Sequence, residues 1–224
     1  MPNSPDLLIV GGGTGGCAAA LAACSLGLNV VMTEEFEWVG GQLTSQAVPP
    51  DENRWIESFG GTKRYQAFRE GVRQWYRDNY PLTAEARANP ILNPGSGWVS
   101  RVCFEPQIGV AVLDTMLAEY ERSGLLEIKR LLKPISADVQ NDRVRSVTLR
   151  NLNTGKEETI EAPFVLDATE TGELLPLTGT EYVVGAESRR DTKEPHAKPP
   201  LRNWDTSSLY SLLQRTESAR NLRV

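Results

Sequence analysis

The chain has 224 residues, 40% of them hydrophobic and 24% charged, with a formal net charge of -5. This is the composition of an ordinary globular protein, long enough to bury a core in one or two domains and without the basic excess of a nucleic-acid partner. The longest apolar run near the start, Cys17 to Cys24, is too short to span a bilayer and Met1 to Asp6 lacks a basic leader region, so we expect no membrane partner and a cytoplasmic location.

In chain order, Asp6 to Val10 is an apolar strand running into Gly11-Gly12-Gly13-Thr14-Gly15-Gly16, a G-x-G-x-x-G turn. Gly11 suits the tight turn, Gly13 lets a pyrophosphate approach the backbone, and Gly16 lets the next helix lie close on the strand. That helix is Ala-rich, from Gly15 to about Leu26, with its free N–H groups and positive dipole end aimed at the phosphates. Gly27 ends it, and Leu28 to Thr33 reads as a second buried strand. Glu34 follows 18 residues after Gly16, with Glu35 beside it, where a carboxylate accepts ribose hydroxyls. An acid there favours FAD or NAD over a 2′-phosphorylated cofactor.

A second glycine pair, Gly40-Gly41, precedes Gln42, Thr44 and Ser45. An insertion at about 47–100 follows, with a helix predicted from Lys63 to Asn79. Its Tyr65, Phe68, Val72, Trp75 and Tyr76 recur at helical spacing and read as a core stripe. Asn89 to Trp98 is a Pro/Gly loop. Glu105-Pro106 opens a helix of about eighteen residues that stops at Gly124. Leu126 to Lys129 returns as a strand. Three alternating runs, within about 131–162 and joined by Asn141-Asp142 and Asn153-Thr154-Gly155, predict an antiparallel meander. Phe164-Val165-Leu166 is continuously apolar, as a central parallel strand is, and leads into Asp167-Ala168-Thr169-Glu170.

The fold class is therefore α/β, a Rossmann-like dinucleotide-binding domain with a parallel sheet and an inserted meander, over 1–187. Residues 188–224 form a polar tail with eight Lys/Arg against four Asp/Glu, which leaves -9 on the first 187. Weak periodicity there is confined to Leu209, Tyr210, Leu212 and Leu213. Cys17, Cys24 and Cys103 form no C-x-x-C pair, and the single histidine, His196, lies in a polar stretch. Both facts argue against a disulfide framework, a metal site or a His-based triad. About seventy residues separate Glu34 from Pro106, where an NAD domain would carry short βα units, and this favours FAD.

The chain resembles the N-terminal part of the FAD-dependent oxidoreductases that share a fumarate reductase-like FAD-binding domain. The resemblance rests on Ile9 to Gly16, Glu34, Val39-Gly40-Gly41-Gln42, Gly97 to Arg101 with Phe104-Glu105-Pro106, Val165 to Leu175, and Gly185 to Ser188. It implies that Gly11, Gly12, Gly13, Thr14, Gly15 and Gly16 hold the pyrophosphate, Glu34 the adenosine ribose, and Gly41-Gln42 the junction of pyrophosphate and ribityl chain. Thr44 and Ser45 would approach the flavin, and Ala168-Thr169 would pass beside the cofactor. A plain turn at Gly41 and a helix cap at Thr169 are the structural alternatives. The implied activity is transfer of a hydride or electron pair between flavin and a small organic substrate, with no catalytic acid or base evident here.

Members of this group continue into a substrate-binding domain and a late Gly-Asp segment that contacts the flavin. Nothing after His196 matches them, which implies a truncated or frame-shifted chain, or a domain completed by a second polypeptide. The competing readings are an NAD-dependent dehydrogenase and a catalytically incomplete subunit that only binds nucleotide.

Overall fold

The fold is given by a computed structural model that describes residues 4–184 and 187–197. The expected polar tail from Lys198 to Val224, with the Leu209 to Leu213 periodicity, and the match at Gly185-Ala186 lie outside the described residues. The chain divides into two compact units, Met1–Thr180 and Glu181–Val224.

In the first unit, β1 (Leu7–Val10), β2 (Val30–Glu34), β3 (Leu126–Arg130) and β7 (Phe164–Asp167) form a parallel sheet in the order β3-β2-β1-β7. A separate antiparallel sheet, β4-β5-β6, is the meander of β4 (Leu132–Gln140), β5 (Arg143–Asn151) and β6 (Glu157–Glu161). The helices are α1 (Thr14–Ser25), α2 (Lys63–Asn79), α3 (Ala84–Ala88), α4 (Pro106–Ser123) and α5 (Leu174–Thr178). The second unit contributes one turn of helix, α6 (Arg189–Thr192), where the Ser188 hydroxyl donates to Asp191 Oδ2 at 2.5 Å.

The two inner strands, β1 and β2, are buried on both faces because both are covered. Ile9, Val30, Met32 and Leu126 pack against Cys17, Ala20 and Leu21 of α1, Phe68 and Val72 of α2, and Val112 and Leu117 of α4. Leu8, Val10 and Val31 on the other face meet Leu132, Val147 and Leu149 of the meander. The result is three layers, helices on parallel sheet on antiparallel sheet. The turn residues follow the local chemistry. Asn141 and Asp142 take φ of 51° and 61°, the pair of left-handed conformers that a two-residue hairpin turn requires.

One expectation is corrected. Phe164 to Leu166 carries the apolar signature of a central strand, yet among the described residues β7 pairs with β1 alone and stands at the sheet edge. Its register sets Phe164 against Leu7 and Leu166 against Ile9, on the helix side of the sheet. There Phe164 is 68% exposed and Leu166 37%.

Candidate functional site: a dinucleotide cleft

The chain leaves β1 for α1 and β2 on one side, while β7 lies on the other. The carboxyl ends of β1 and β7 therefore open a crevice at the point where the sheet reverses direction, the place where open α/β sheets bind ligands. The lining of this cleft includes Gly11, Gly13, Glu34, Glu35, Gly41, Ser45, Ala168, Thr169, Glu170 and Glu173.

Two glycines hold the frame. Gly11 has φ +101°, and a Cβ on it would lie 2.3 Å from the Ala168 carbonyl oxygen, so β7 can approach only a residue without a side chain. A Cβ on Gly16 would lie 2.0 Å from the Gly11 carbonyl oxygen, which is why α1 can leave the strand so tightly. Gly12 donates its N–H to Glu34 Oε2 at 2.8 Å. Thr14 donates its hydroxyl to the Gly40 carbonyl at 2.8 Å, and the Gly40 N–H returns a bond to the Gly12 carbonyl at 2.7 Å. The two glycine segments are thus bolted together at the start of α1. That helix has no side-chain cap and no acidic residue in its first turn, so its N–H groups remain free for an anion.

Glu34 closes β2 nearly buried, and its Oε1 accepts the Phe36 N–H at 3.0 Å. Burial pushes its carboxyl above the usual range, against the pull of the Phe36 and Gly12 N–H groups. Lys133 ties Glu35 to Glu173, at 3.4 and 3.5 Å. The Thr169 hydroxyl donates to Asp167 Oδ1 at 2.7 Å and accepts the Glu173 N–H at 2.7 Å, just before α5, whose N-cap is Glu173. Thr44 is fully buried and donates to the Val39 carbonyl at 2.5 Å. Gly12, Thr14, Gly15, Gly16, Gln42 and Thr44 are not on the walls of the cleft in the ligand-free chain.

Glu170 is the residue that sequence reasoning passed over. Its Oε1 lies 2.6 Å from where a Cβ of Gly13 would be and 2.5 Å from where a Cβ of Gly41 would be. An anionic group therefore already occupies the space between the two glycine segments, over the uncapped end of α1. With the carboxylate there the cleft holds about 100 Å³, well below the ~300 Å³ at which small-molecule sites begin. The side chain is exposed, so an incoming anion can displace it.

The sequence profile of the FAD dependent oxidoreductases matches residues 6–221, nearly the whole chain. The chain belongs to that family. FAD is accordingly its cofactor, and the alternative of NAD falls away. The match runs 25 residues beyond His196, where the resemblance read from motifs ends. No curated protein matches this family member in sequence.

Among solved structures, a flavoprotein/dehydrogenase from Cytophaga hutchinsonii is similar at 17% identity and a TM-score of 0.51, over 83% of this chain and 44% of that one. The glycerol-3-phosphate dehydrogenase from Bacillus halodurans complexed with FAD is similar at 15% identity and a TM-score of 0.46, over 75% and 34% of the two chains. The Mycobacterium smegmatis Sdh1 complex is similar at 15% and 0.47, over 73% and 34%. The first of these likenesses supports the fold. The chain spans less than half the length of each of the three.

The residues present fit FAD. The cradle is one that a Cβ would fill at Gly13 and Gly41, the helix end above it is uncapped, and a carboxylate stands at the end of β2. No helix of the described residues is long and apolar enough to cross a membrane.

Proposed function

We propose that this chain is the FAD-holding portion of an oxidoreductase that passes a hydride or electron pair between flavin and a small organic substrate. Gly13, Gly41 and the first turn of α1 bind the pyrophosphate, and Glu34 accepts the ribose hydroxyls through lone pairs left over from its two backbone bonds. Gly11 and Ala168 fix the floor of the cleft. FAD itself supplies the redox chemistry, and the protein supplies position and electrostatics. The observation that carries this reading is the pairing of Gly13 and Gly41 about a carboxylate-sized anion site at the uncapped start of α1.

The rest of the flavin's surroundings comes, in this reading, from further polypeptide, in this chain's continuation or in a second subunit. Its support is the exposed apolar face of β7, which reads as a strand built for burial, together with the partial span of the related structures. A cytoplasmic location belongs to the same proposal and rests on three cysteines that are all unpaired and buried.

The test is the flavin spectrum of the purified 224-residue chain, loaded with FAD, dialysed and then reduced. Bound FAD that is reducible by dithionite but inert toward organic substrates fits the proposal. Efficient substrate turnover by the isolated chain would sink the requirement for further polypeptide, and failure to load FAD would sink the binding role.

A further inference from the structure

The insertion carries a second site of a different kind. A groove of about 390 Å³ lies between the loop after Asp51 and the loop at 91–101, with Arg54, Glu57, Ile91, Trp98 and Arg101 on its walls. This volume falls within the range of small-molecule sites.

Glu57, on the wall of the groove, belongs to a buried ion network. Arg69, 1% exposed, donates to Glu52 at 2.7 Å and to Glu57 at 2.6 Å, and Arg73 donates to Glu57 at 2.6 Å. Tyr65 adds its hydroxyl to Glu52 at 2.7 Å. Two arginines thus balance two carboxylates, so Glu57 reaches the groove already neutralised. Its loop is also preformed. Asn93 donates to the Gly97 and Ser100 carbonyls at 2.9 and 3.1 Å and accepts the Cys103 N–H at 2.7 Å.

Two positive charges remain uncompensated. Among the described residues neither Arg54 nor Arg101 meets a carboxylate, although the protein as a whole is acidic. Arg54 is held 4.3 Å over the Trp55 ring, which orders its guanidinium without neutralising it. Trp98 is 94% exposed beside Arg101, with Ile91 nearby. Guanidinium forks recognise carboxylates in a plane, and an open indole face takes a flat apolar body.

We propose that this groove binds a small organic acid, a carboxylate on a flat apolar body, with Arg54 and Arg101 on the carboxylate and Trp98 on the body. This site is separate in its residues from the dinucleotide cleft, and the proposal does not rest on the flavin reading.

The experiment titrates the full 224-residue chain with phenylacetate and with its neutral isostere phenylacetamide at constant ionic strength. Binding is read by calorimetry and by tryptophan fluorescence, with Trp98→Phe identifying the reporter. Expected are saturable phenylacetate binding at least tenfold tighter than phenylacetamide, and a loss of at least fivefold in Arg54→Gln and in Arg101→Gln with melting temperatures unchanged. Arg101→Lys, which keeps the charge but not the fork, should fall between wild type and Arg101→Gln. Gly13→Val should bind phenylacetate as wild type does, since it alters only the dinucleotide cleft. Phenylacetate that does not saturate, equal affinity for the amide, or Gln variants that bind like wild type would each overturn the proposal.

Discussion

Replacing Glu170 by Gln keeps the size of the side chain between Gly13 and Gly41 and removes only its charge, which isolates the electrostatic part of its competition with a pyrophosphate. Two unit charges roughly 4 Å apart interact by about 1 kcal/mol in a water-like medium and about 4 kcal/mol at an effective dielectric of 20. Glu170 is exposed and can swing aside, so the screened end of that range applies. About 1 kcal/mol corresponds to a roughly fivefold tighter FAD complex in Glu170→Gln. The ligand-free protein should change in the opposite direction. A carboxylate over the start of α1 favours the helix by about 0.3–1 kcal/mol, and the variant loses that. The assay is quenching of FAD fluorescence, paired with thermal melts of the ligand-free chain, at about 0.1 M and 1 M salt. The affinity gain should shrink at high salt as the screening length falls from about 10 Å to about 3 Å. Equal or weaker FAD binding by Glu170→Gln at low salt would refute the placement of the pyrophosphate between Gly13 and Gly41.

Glu34→Ala should weaken FAD by about 1.5–3 kcal/mol in a calorimetric titration and also lower the melting temperature, because the Gly12 and Phe36 N–H groups lose their acceptor. With its carboxyl raised by burial, Glu34 favours the ligand-free fold below the ordinary value of 4.5 and withdraws that contribution as pH rises through its raised value. FAD affinity should move oppositely, improving over the same rise. Gly16→Ala should destabilise the fold by at least the 1–3 kcal/mol of an overpacked core in urea unfolding, whereas Gly13→Ala meets only the end of the Glu170 side chain and should lose FAD while keeping its stability. Arg69→Ala should cost about 3–5 kcal/mol by leaving Glu52 buried without its partner. Burial pushes Glu57 up, but its hydrogen bonds and ion pairs with Arg69 and Arg73 prevail and hold it at about 2. Its contribution is therefore complete above the unfolded value near 4.5 and vanishes as pH falls toward 2, so Glu57→Gln should flatten acid destabilisation across that window.

Much of the frame was legible because its signals are local. Helix α2 over 63–79 follows from its aromatic period, and its start is confirmed by Thr62, whose hydroxyl accepts the Tyr65 N–H. Helix α4 begins at Pro106 and ends where Gly124 takes φ +77°, both of which are single-residue signals. The glycine turn and Glu34 were readable for the same reason. Short α3 was missed, although Thr83 caps it, because five residues carry too little periodicity. Arg69 and Arg73 could not be read as buried, since their partners Glu52 and Glu57 sit in a loop with no period of its own. The part played by Glu170 depends on β7 pairing with β1 more than 150 residues away in sequence, and no local pattern carries that information. The apolarity of β7 announced burial but not what would provide it.

The central claim is that the cleft between β1 and β7 holds the FAD pyrophosphate, and amide chemical-shift mapping of the isotope-labelled chain during titration with FAD tests it most directly. Pyrophosphate bound there gives saturable shifts at Gly13, Thr14, Gly15 and Gly41, with Glu170 moving alongside them and the meander strands β4 to β6 quiet beyond the cleft wall. Saturable FAD binding that leaves those amides unmoved, or no binding at all, would contradict it.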